Sequence, residues 1–571
     1  IMNRNTQEHF ANTPTVNIGR SKFDRSYTHK TTFNAGDLIP FYVDTNITPG
    51  DTVKMNTAHV VRMMTPVAPV MDNANLDTYF FFVPYRLIWE HWEEFMGENK
   101  TEPWYQPIEY EIPQITPPTG GWTKGSLADY MGYPTKVDGY KASALPFRAY
   151  AAIWNAWFRD ENLKNPCYIS MGDSDVQGVD ILDANLDYVT DVEKGACPAK
   201  AAKYHDYFTS CLLQPQKGPA VNLPLGDSAP IIGTDELPPG GTVQTSLVDK
   251  KLGFAASGSA PYGQMIDVET GNGMSTGRQI GLAVDLSQAV GSTVSALRQA
   301  FAIQRFYEKQ SLYGTRYIEM IKGHFQVTNP DFRMQRPEYL GGMRTPININ
   351  QVVQTDATSQ QLGGEYVGDP GQEVWEWSMS DLSPQGNTAA YSLTSGKNKD
   401  LFTHSFTEHG ILMGLCCVRT VHTYQQGLNR QFMQKKFTDF YFPEFANLSN
   451  QPVYNKEIYT QADTVVDTEG RVVNDKAFGY QEAWAHYRYF PDMVSGEMRS
   501  NYDQSLDIWH WADDYSQLPS LGSEWIDETK ENIERTLAVQ NHDQFFGDFY
   551  FGAVYTRPMP LYSVPGLIDH H

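Results

Sequence analysis

Short runs of β-branched and aromatic residues, cut by Pro, Asn and Asp, open the patterned part of the chain. HVVRMMTPVAPVMDN (59–73) and LDTYFFFVP (76–84) are predicted strands. The second is apolar at successive positions, so it is expected to be a central strand covered on both faces. After Pro84 the period changes. In RLIWEHWEEFMGE, Leu87, Ile88, His91, Trp92 and Phe95 recur at helical spacing and Gly97 supplies a stop. A second helix is predicted in PFRAYAAIWNAWFRDENL, with Tyr150, Ile153, Trp154 and Trp157 on one stripe. A third is predicted in STVSALRQAFAIQRFYEKQSLYG, where Leu297, Ala300, Phe301, Gln304 and Tyr307 share a face before Gly314. Strands return in PININQVVQ, GILMGLCCVRTVHTY and QFFGDFYFGAVYTRPMP. Strands at both ends with long connections between them predict a barrel or sandwich rather than a βαβ array.

From about 165 to 291 the composition is loop-like, as in QPQKGPAVNLPLGDSAPIIGTDELPPGG and GFAASGSAPYG. Loops this long usually carry function or disorder, and the stretch is expected to be one large insertion. The 29 Phe, 33 Tyr and 12 Trp exceed what a core alone demands. Large rings at surfaces anchor interfaces, so extended association follows as a hypothesis from composition. The segment QQGLNRQFMQKKFTDFYFPEFANLSNQPVYNKEIY concentrates them.

The formal net charge of −23 excludes a protein whose whole surface grips nucleic acid. The balance is uneven, however. In residues 1–30, Arg4, Arg20, Lys22, Arg25 and Lys30 stand against Glu8 and Asp24. Such a basic arm on an acidic body is suited to a polyanion, with a solvated tail as the plain alternative. Arg298, Arg305 and Lys309 form a second small basic cluster around the third predicted helix. Five cysteines without CxxC spacing argue against a disulfide scaffold or a structural zinc, and the terminus IMNRNTQEHF shows no apolar signal region. A soluble chain maturing in a cytoplasm is the expectation, with no membrane insertion.

The search for catalytic chemistry finds no coherent set. Gly273-Met274-Ser275-Thr276-Gly277 matches G-x-S-x-G but lacks the preceding strand that motif requires. Asp173, Asp175 and Gly178 open like a calcium loop, yet Ala184 stands where a bidentate Glu belongs. The wider run of Asp180, Asp183, Asp187, Asp191 and Glu193 is a candidate for recruiting divalent cations at a subunit contact, with a solvated acidic loop as the plainer reading. Asp513 with Asp514, and Glu93 with Glu94, are adjacent pairs that do not set a cross-cleft spacing. His404 and His409 lack the HExxH frame, and no phosphate loop or dinucleotide fingerprint occurs. No catalytic residue, metal ligand or cofactor is assigned.

The aromatic segment resembles the signature region of the major capsid proteins of gokushoviruses, small single-stranded DNA phages of the Microviridae. HVVRMMTPVAPVMDNANLDTYFFFVPYRLIWEHWEEFMGE, LADYMGYPT, ALPFRAYAAIWNAWFRDENL, LRQAFAIQRFYEKQSLYGTRYIEMIKGHFQV, QRPEYLGGMRTPININQV and FGYQEAWAHYRYFPDMVSGEMRSNYDQSLDIWHW agree in order along nearly the whole chain. Phe442 stands where the family pattern would place Trp. The resemblance implies a mainly β fold, an eight-stranded viral jelly-roll barrel with long loop insertions containing several helices. It implies a single such domain over 1–571, with a basic arm at about 1–30 and a variable insertion at about 165–291 that protrudes at the threefold axes and meets the host. It further implies a homo-oligomeric T=1 icosahedral capsid around a circular single-stranded DNA genome, held weakly and without sequence preference. A small basic DNA-binding protein and a host-surface receptor are expected partners, and the virion, assembled in the bacterial cytoplasm, is the expected location.

On that reading Arg4, Arg20, Lys22, Arg25, Lys30, Arg298, Arg305 and Lys309 are the DNA-facing candidates. Trp154, Trp157, Phe158, Phe440, Tyr441, Phe442, Tyr487 and Tyr489 are the subunit-interface candidates. Asp235, Lys250, Lys251 and Tyr262, inside the insertion, are the host-attachment candidates. Two competing classes stay open at this point. One is a carbohydrate-binding or glycan-degrading β-sandwich, suggested by the tryptophans and carboxylates. The other is a single-stranded DNA-binding module, suggested by the basic arm and the rings.

Overall fold

Alternation of buried and exposed positions along the strands builds two antiparallel sheets that share one core. The computed structural model describes residues 19–98, 109–219, 335–353 and 388–562 continuously, with helix and strand segments between 231 and 312 and between 358 and 383. The chain divides into two units, one of Ile1–Pro215 with Asn329–His571 and one of Gln216–Thr328.

The first unit is carried by Ser21–Asp24 (β1), Tyr27–Phe33 (β2), Ile39–Ile47 (β3), Thr52–Met63 (β4), Ala74–Pro84 (β5), Glu338–Pro346 (β6), Thr394–Ser405 (β7), Gly410–Thr420 (β8) and Phe545–Arg557 (β9). A five-stranded sheet runs β1-β9-β4-β7, with β2 also on β9, and a four-stranded sheet runs β6-β5-β8-β3; neither closes into a barrel. β1 and β2 lie along the same strand, Phe23 opposite Tyr555 and Thr28 opposite Tyr550, so together they make one interrupted edge. The described part of the predicted basic arm is therefore sheet. Its inward-facing backbone groups pair with the long closing strand.

The shared core is aromatic. β4 and β9 turn Val53, Met55, Val61, Phe549, Phe551 and Tyr555 inward, and the facing sheet supplies Phe41, Tyr42, Phe80, Phe82 and Leu412. Phe41 meets Phe549 at 4.9 Å and Tyr42 meets Phe551 at 5.0 Å, both edge-on, the geometry ring quadrupoles favour. Gly414 on β8 makes room for this: a Cβ there would come within 3.0 Å of the Phe80, Tyr42 and Phe41 side chains. At one end of the sandwich a polar tie joins the sheets. The Tyr555 hydroxyl donates to the buried Asp44 carboxylate at 2.6 Å and lies 2.7 Å from the Tyr42 hydroxyl, while Arg25 pairs with the same carboxylate.

β5 and β8 are buried on their second face too, as the uninterrupted apolar runs predict. Phe81, Val83, Ile411, Met413 and Leu415 pack there against Trp89, Trp122 and the helix Leu145–Ile153 (α1). α1 carries Pro at its first turn and is fixed to the sheet by the Tyr150 hydroxyl, which donates to Leu38 O at 2.6 Å. It passes directly into a π turn at Trp154–Phe158.

Three expectations change. The helix predicted in RLIWEHWEEFMGE shrinks to a 3₁₀ turn at Tyr85–Leu87 and a single turn at Trp92–Phe95. Ile88 and Trp89 are both fully buried in the irregular stretch between these turns, and the Trp89 indole is held there by donating to Asp173 at 2.6 Å. Residues 165–215, expected inside the insertion, pack in the first unit: Cys167, Val192, Cys197, Ala199 and Ala201 belong to the core over α1. All five cysteines are buried and free, and burial pushes the Cys167 and Cys197 thiols up to about 12, which suits packing rather than redox chemistry. In the second unit Ile231–Glu236 pairs with Gln279–Val284 and Leu252–Phe254 with Met265–Asp267, followed by the helix Val294–Leu312 (α2). Ala300 is buried on α2 but Phe301, predicted to share its face, is exposed.

Phe80 touches rings from both sheets, Phe41 at 5.6 Å and Phe551 at 6.3 Å. Phe80→Ala is therefore expected to lower the unfolding free energy of the first unit by about 3–5 kcal/mol in a denaturant titration. A loss under about 1 kcal/mol would mean that the sheets do not depend on this core.

Candidate assembly surface

Beyond β8 the chain leaves the sandwich and runs through loops and one-turn helices until β9. Such a layer has few ladder hydrogen bonds of its own and must be held by side chains. A small core does part of this: Tyr207, Phe208, Tyr424, Val453, Ile458, Phe478 and Leu521 pack around the two-stranded pairing of Gln451–Tyr454 with Ala477–Gln481. Glu457 sits at its edge, accepting from the Tyr207 hydroxyl at 2.8 Å and from Arg430 at 3.2 Å.

Buried charge does the rest. His422, two residues past β8, is sandwiched between Asp513 and Glu528, each 3.0 Å from one ring nitrogen. Asp513 also accepts from Asn532 at 2.5 Å and from the Tyr515 hydroxyl at 2.7 Å, and Glu528 accepts from Thr420 at 2.6 Å. Burial alone pushes the His422 imidazole down, but the two carboxylates outweigh it and lift it to about 10. Burial likewise opposes the charge on Asp513, and His422 with Lys203 overcomes it, holding that carboxyl below the usual range. The sequence gives no local signal for this knot, because its members lie 91 and 106 residues from His422.

On this support the segment after Tyr424 holds its backbone in and its rings out. Three 3₁₀ turns, Arg430–Phe432, Phe437–Asp439 and Pro443–Phe445, follow one another. The Asp439 carboxylate accepts from the backbone N–H of Lys435 and Lys436, both at 2.8 Å, and those bonds hold its pKa down. Trp484, itself in a left-handed conformation, donates its indole N–H to Phe445 O at 2.8 Å and meets Tyr441 edge-on at 5.6 Å. The Tyr487 hydroxyl accepts from Tyr441 N at 3.3 Å. With the loop pinned, Phe437 is 75% exposed, Phe432 68% and Phe490 61%, beside the exposed Phe440, Tyr441, Phe442, Tyr487 and Tyr489. Exposed apolar surface on this scale marks an interaction site.

Five of the eight predicted interface rings lie on this layer: Phe440, Tyr441, Phe442, Tyr487 and Tyr489. Trp154 is a correction. It is 4% exposed and its indole donates to Lys200 O at 3.0 Å, because the α1 stripe faces the sheet. Trp157 and Phe158 lie elsewhere, against Phe81 and Tyr79 on the outer face of the four-stranded sheet.

Among the described DNA-facing candidates of the first unit, most have partners within the chain. Arg25 is engaged with Asp44, a correction that follows from the inter-sheet tie; Arg20 donates to Gly50 O at 2.7 Å, and Lys30 lies 3.6 Å from Asp548. Lys22 is exposed on the sheet edge, and Arg298, Arg305 and Lys309 are exposed on α2. Arg4, Lys250, Lys251, Tyr262 and the G-x-S-x-G match lie outside the described residues, and Asp235 lies in the strand Ile231–Glu236.

The carboxylates are spoken for. Asp513 is sealed in the His422 knot, Asp173 accepts from Trp89 and His91, and Asp175 from Lys141 at 2.6 Å. Among the described residues no group of three His, Cys, Asp or Glu could hold a metal ion, and no helix is long and apolar enough to cross a membrane.

Against known proteins, the family model described as "Capsid protein (F protein)" matches residues 11–567. The chain is 39% identical to "Capsid protein VP1" of Chlamydia phage 1, covering 98% of this chain and 97% of that one. It is 40% identical to "Capsid protein VP1" of Bdellovibrio phage phiMH2K over 98% of both chains, and 40% identical to that of Spiroplasma virus 4 over 96% of both.

The His422 knot makes stability depend on pH with a definite sign. The folded imidazole at about 10 lies above its ordinary 6.5, so its contribution is complete below pH 6.5 and is lost as pH rises through about 10. Asp513, depressed, contributes above its ordinary value of 3.8 and loses that as pH falls. His422→Gln is expected to flatten the alkaline limb of a denaturation-versus-pH series. An unchanged limb would show that His422 is not charged in the folded chain.

Proposed function

The chain belongs to the capsid protein (F protein) family, and we propose that its copies close into a T=1 icosahedral shell around a circular single-stranded DNA genome. The protein is a structural component of a phage virion, and its work is association with copies of itself rather than catalysis.

The fold of this subunit is a viral jelly roll, eight-stranded when β1 and β2 are counted as one edge. What supports that reading is the order of pairing. The first strand pairs with the last (β2 with β9), the second with the seventh (β3 with β8), the third with the sixth (β4 with β7) and the fourth with the fifth (β5 with β6). Nesting from the ends inward is the signature of a doubled-over antiparallel ribbon wrapped into two sheets.

The observation that carries the assembly reading is the ring-bearing layer over residues 424–506. Its backbone is pinned by Asp439, Trp484 and Glu457, yet Phe432, Phe437, Phe440, Phe442 and Phe490 face solvent. Fivefold and threefold contacts are heterologous, so each subunit needs several distinct patches. Modest contacts suffice because several neighbours hold each copy at once.

The unit Gln216–Thr328 is the insertion that meets a host receptor at the threefold axes; that it forms a compact unit of its own supports this. The excess negative charge requires compensation inside the shell, from exposed cations of the first unit such as Lys22 and from a separate small basic protein bound with the DNA.

Electron microscopy of purified protein tests the shell. Wild type is expected to form closed isometric particles. The pair Phe437→Ser and Phe440→Ser should raise the concentration needed for assembly at least roughly thirtyfold, the effect of removing about 2 kcal/mol of contact, with the melting temperature of the subunit unchanged. Monodisperse monomers from wild type under every assembly condition would overturn the reading. Replacing residues 216–328 by a short linker is expected to leave particles intact and abolish adsorption to host cells; a subunit that no longer folds would remove the insertion from that role.

A further inference from the structure

A second aromatic surface lies on the outer face of the β6-β5-β8-β3 sheet. There Tyr79, Phe81, Tyr339, Arg344 and Arg419 floor a cleft of about 450 Å³, walled by residues 157–160 and 202–205. Trp157 stands 5.7 Å from Phe81 and 6.0 Å from Tyr339, and Phe81 is 5.5 Å from Tyr339. The Trp157 indole is fixed by its N–H, which donates to Pro337 O at 2.9 Å. Its ring remains 38% exposed and that of Tyr339 44%. Two flat, immobilised ring systems therefore open onto one cleft.

The charge around them is opposite in sign to the chain as a whole. Asp77 is shared by two guanidiniums, Arg344 at 2.7 Å and Arg419 at 2.5 Å. Arg336 lies over the Trp157 ring at 4.7 Å. Arg159 has a buried Nε with no acceptor, while its Nη1 donates to Lys164 O at 2.8 Å. The other carboxylate of the cleft, Asp160, turns one oxygen to the backbone N–H groups of Asn162 and Leu163. Three guanidiniums of the lining, with Arg336 beside them over Trp157, thus stand against Asp77 and Asp160 in a chain of net charge −23.

Stacking rings bordered by arginines match one chemistry: a planar base with a phosphate beside it. We propose that this cleft binds a nucleotide unit of single-stranded nucleic acid, its base stacked on Tyr339 and Trp157 and its phosphate held by Arg159 and Arg336. The inference rests on the reading of the subunit as a genome-enclosing shell and adds to it a contact point outside the basic segments. Stacking accepts any base, so binding here is indifferent to sequence and sensitive to salt.

The test uses the full chain below its assembly concentration, titrated with fluorescein-labelled dT10 by anisotropy at about 50 mM salt. Particle formation is scored separately by electron microscopy. Tyr339→Ala is expected to weaken dT10 binding about tenfold, and Arg336→Gln to reduce the slope of log K against log salt by about 0.7. Both variants should still form particles. The cleft is excluded if wild type does not bind dT10, or if neither substitution changes that binding. A Tyr339→Ala chain that binds dT10 normally but forms no particles assigns the cleft to a neighbouring copy instead. Tyr339-dependent binding by a wild-type chain that never forms particles would uphold the cleft and overturn the shell.

Discussion

Ring against ring across the two sheets is the interaction on which the rest of this molecule depends. Phe41, Tyr42, Phe80, Phe549 and Phe551 come from strands far apart in sequence, and only their mutual packing sets the sheets face to face. Each ring buries a large area with few rotatable bonds, so the ordering cost is small for the surface removed from water. The edge strand made by β1 and β2, the closing strand β9 and the tie at Asp44 all follow from that alignment.

The loop layer obeys a different constraint. It buries some of its rings in a small core of its own around Phe208, Tyr424 and Phe478 and leaves others in solvent. It is held besides by charges taken out of water. Desolvating His422, Asp513 and Glu528 is costly, and their pairing offsets that only because every oxygen and nitrogen finds a partner. Such a knot permits one arrangement of the chain. Side chains on a backbone fixed in this way lose less entropy on binding than those of a loose loop.

Much of the sandwich was legible in the sequence. LDTYFFFVP and GILMGLCCVRT are apolar at successive positions and became the two central strands, covered on both faces. The edge was not legible: SKFDRSYTHKTTF carries charge and little apolar pattern, since one face of that edge is exposed and its register is set by β9. The surface rings Phe440 to Phe442 were legible as aromatic excess. Trp154 and Trp157, three residues apart on one predicted stripe, could not be told apart by period; the π turn after Ile153 leaves the first buried and the second open. Arg25 looked like a free cation because its partner, Asp44, lies across a turn and on the other sheet. The His422 knot was invisible for the same reason, its members being joined only by the fold.

The central claim is that the pinned aromatic layer is a contact between copies. A high-resolution reconstruction of assembled particles addresses it most directly. Phe432, Phe437, Phe440, Phe442 and Phe490 are expected to lose most of their exposed area against neighbouring subunits. Particles in which those rings remain in solvent, with subunits joined through other surfaces, would contradict it.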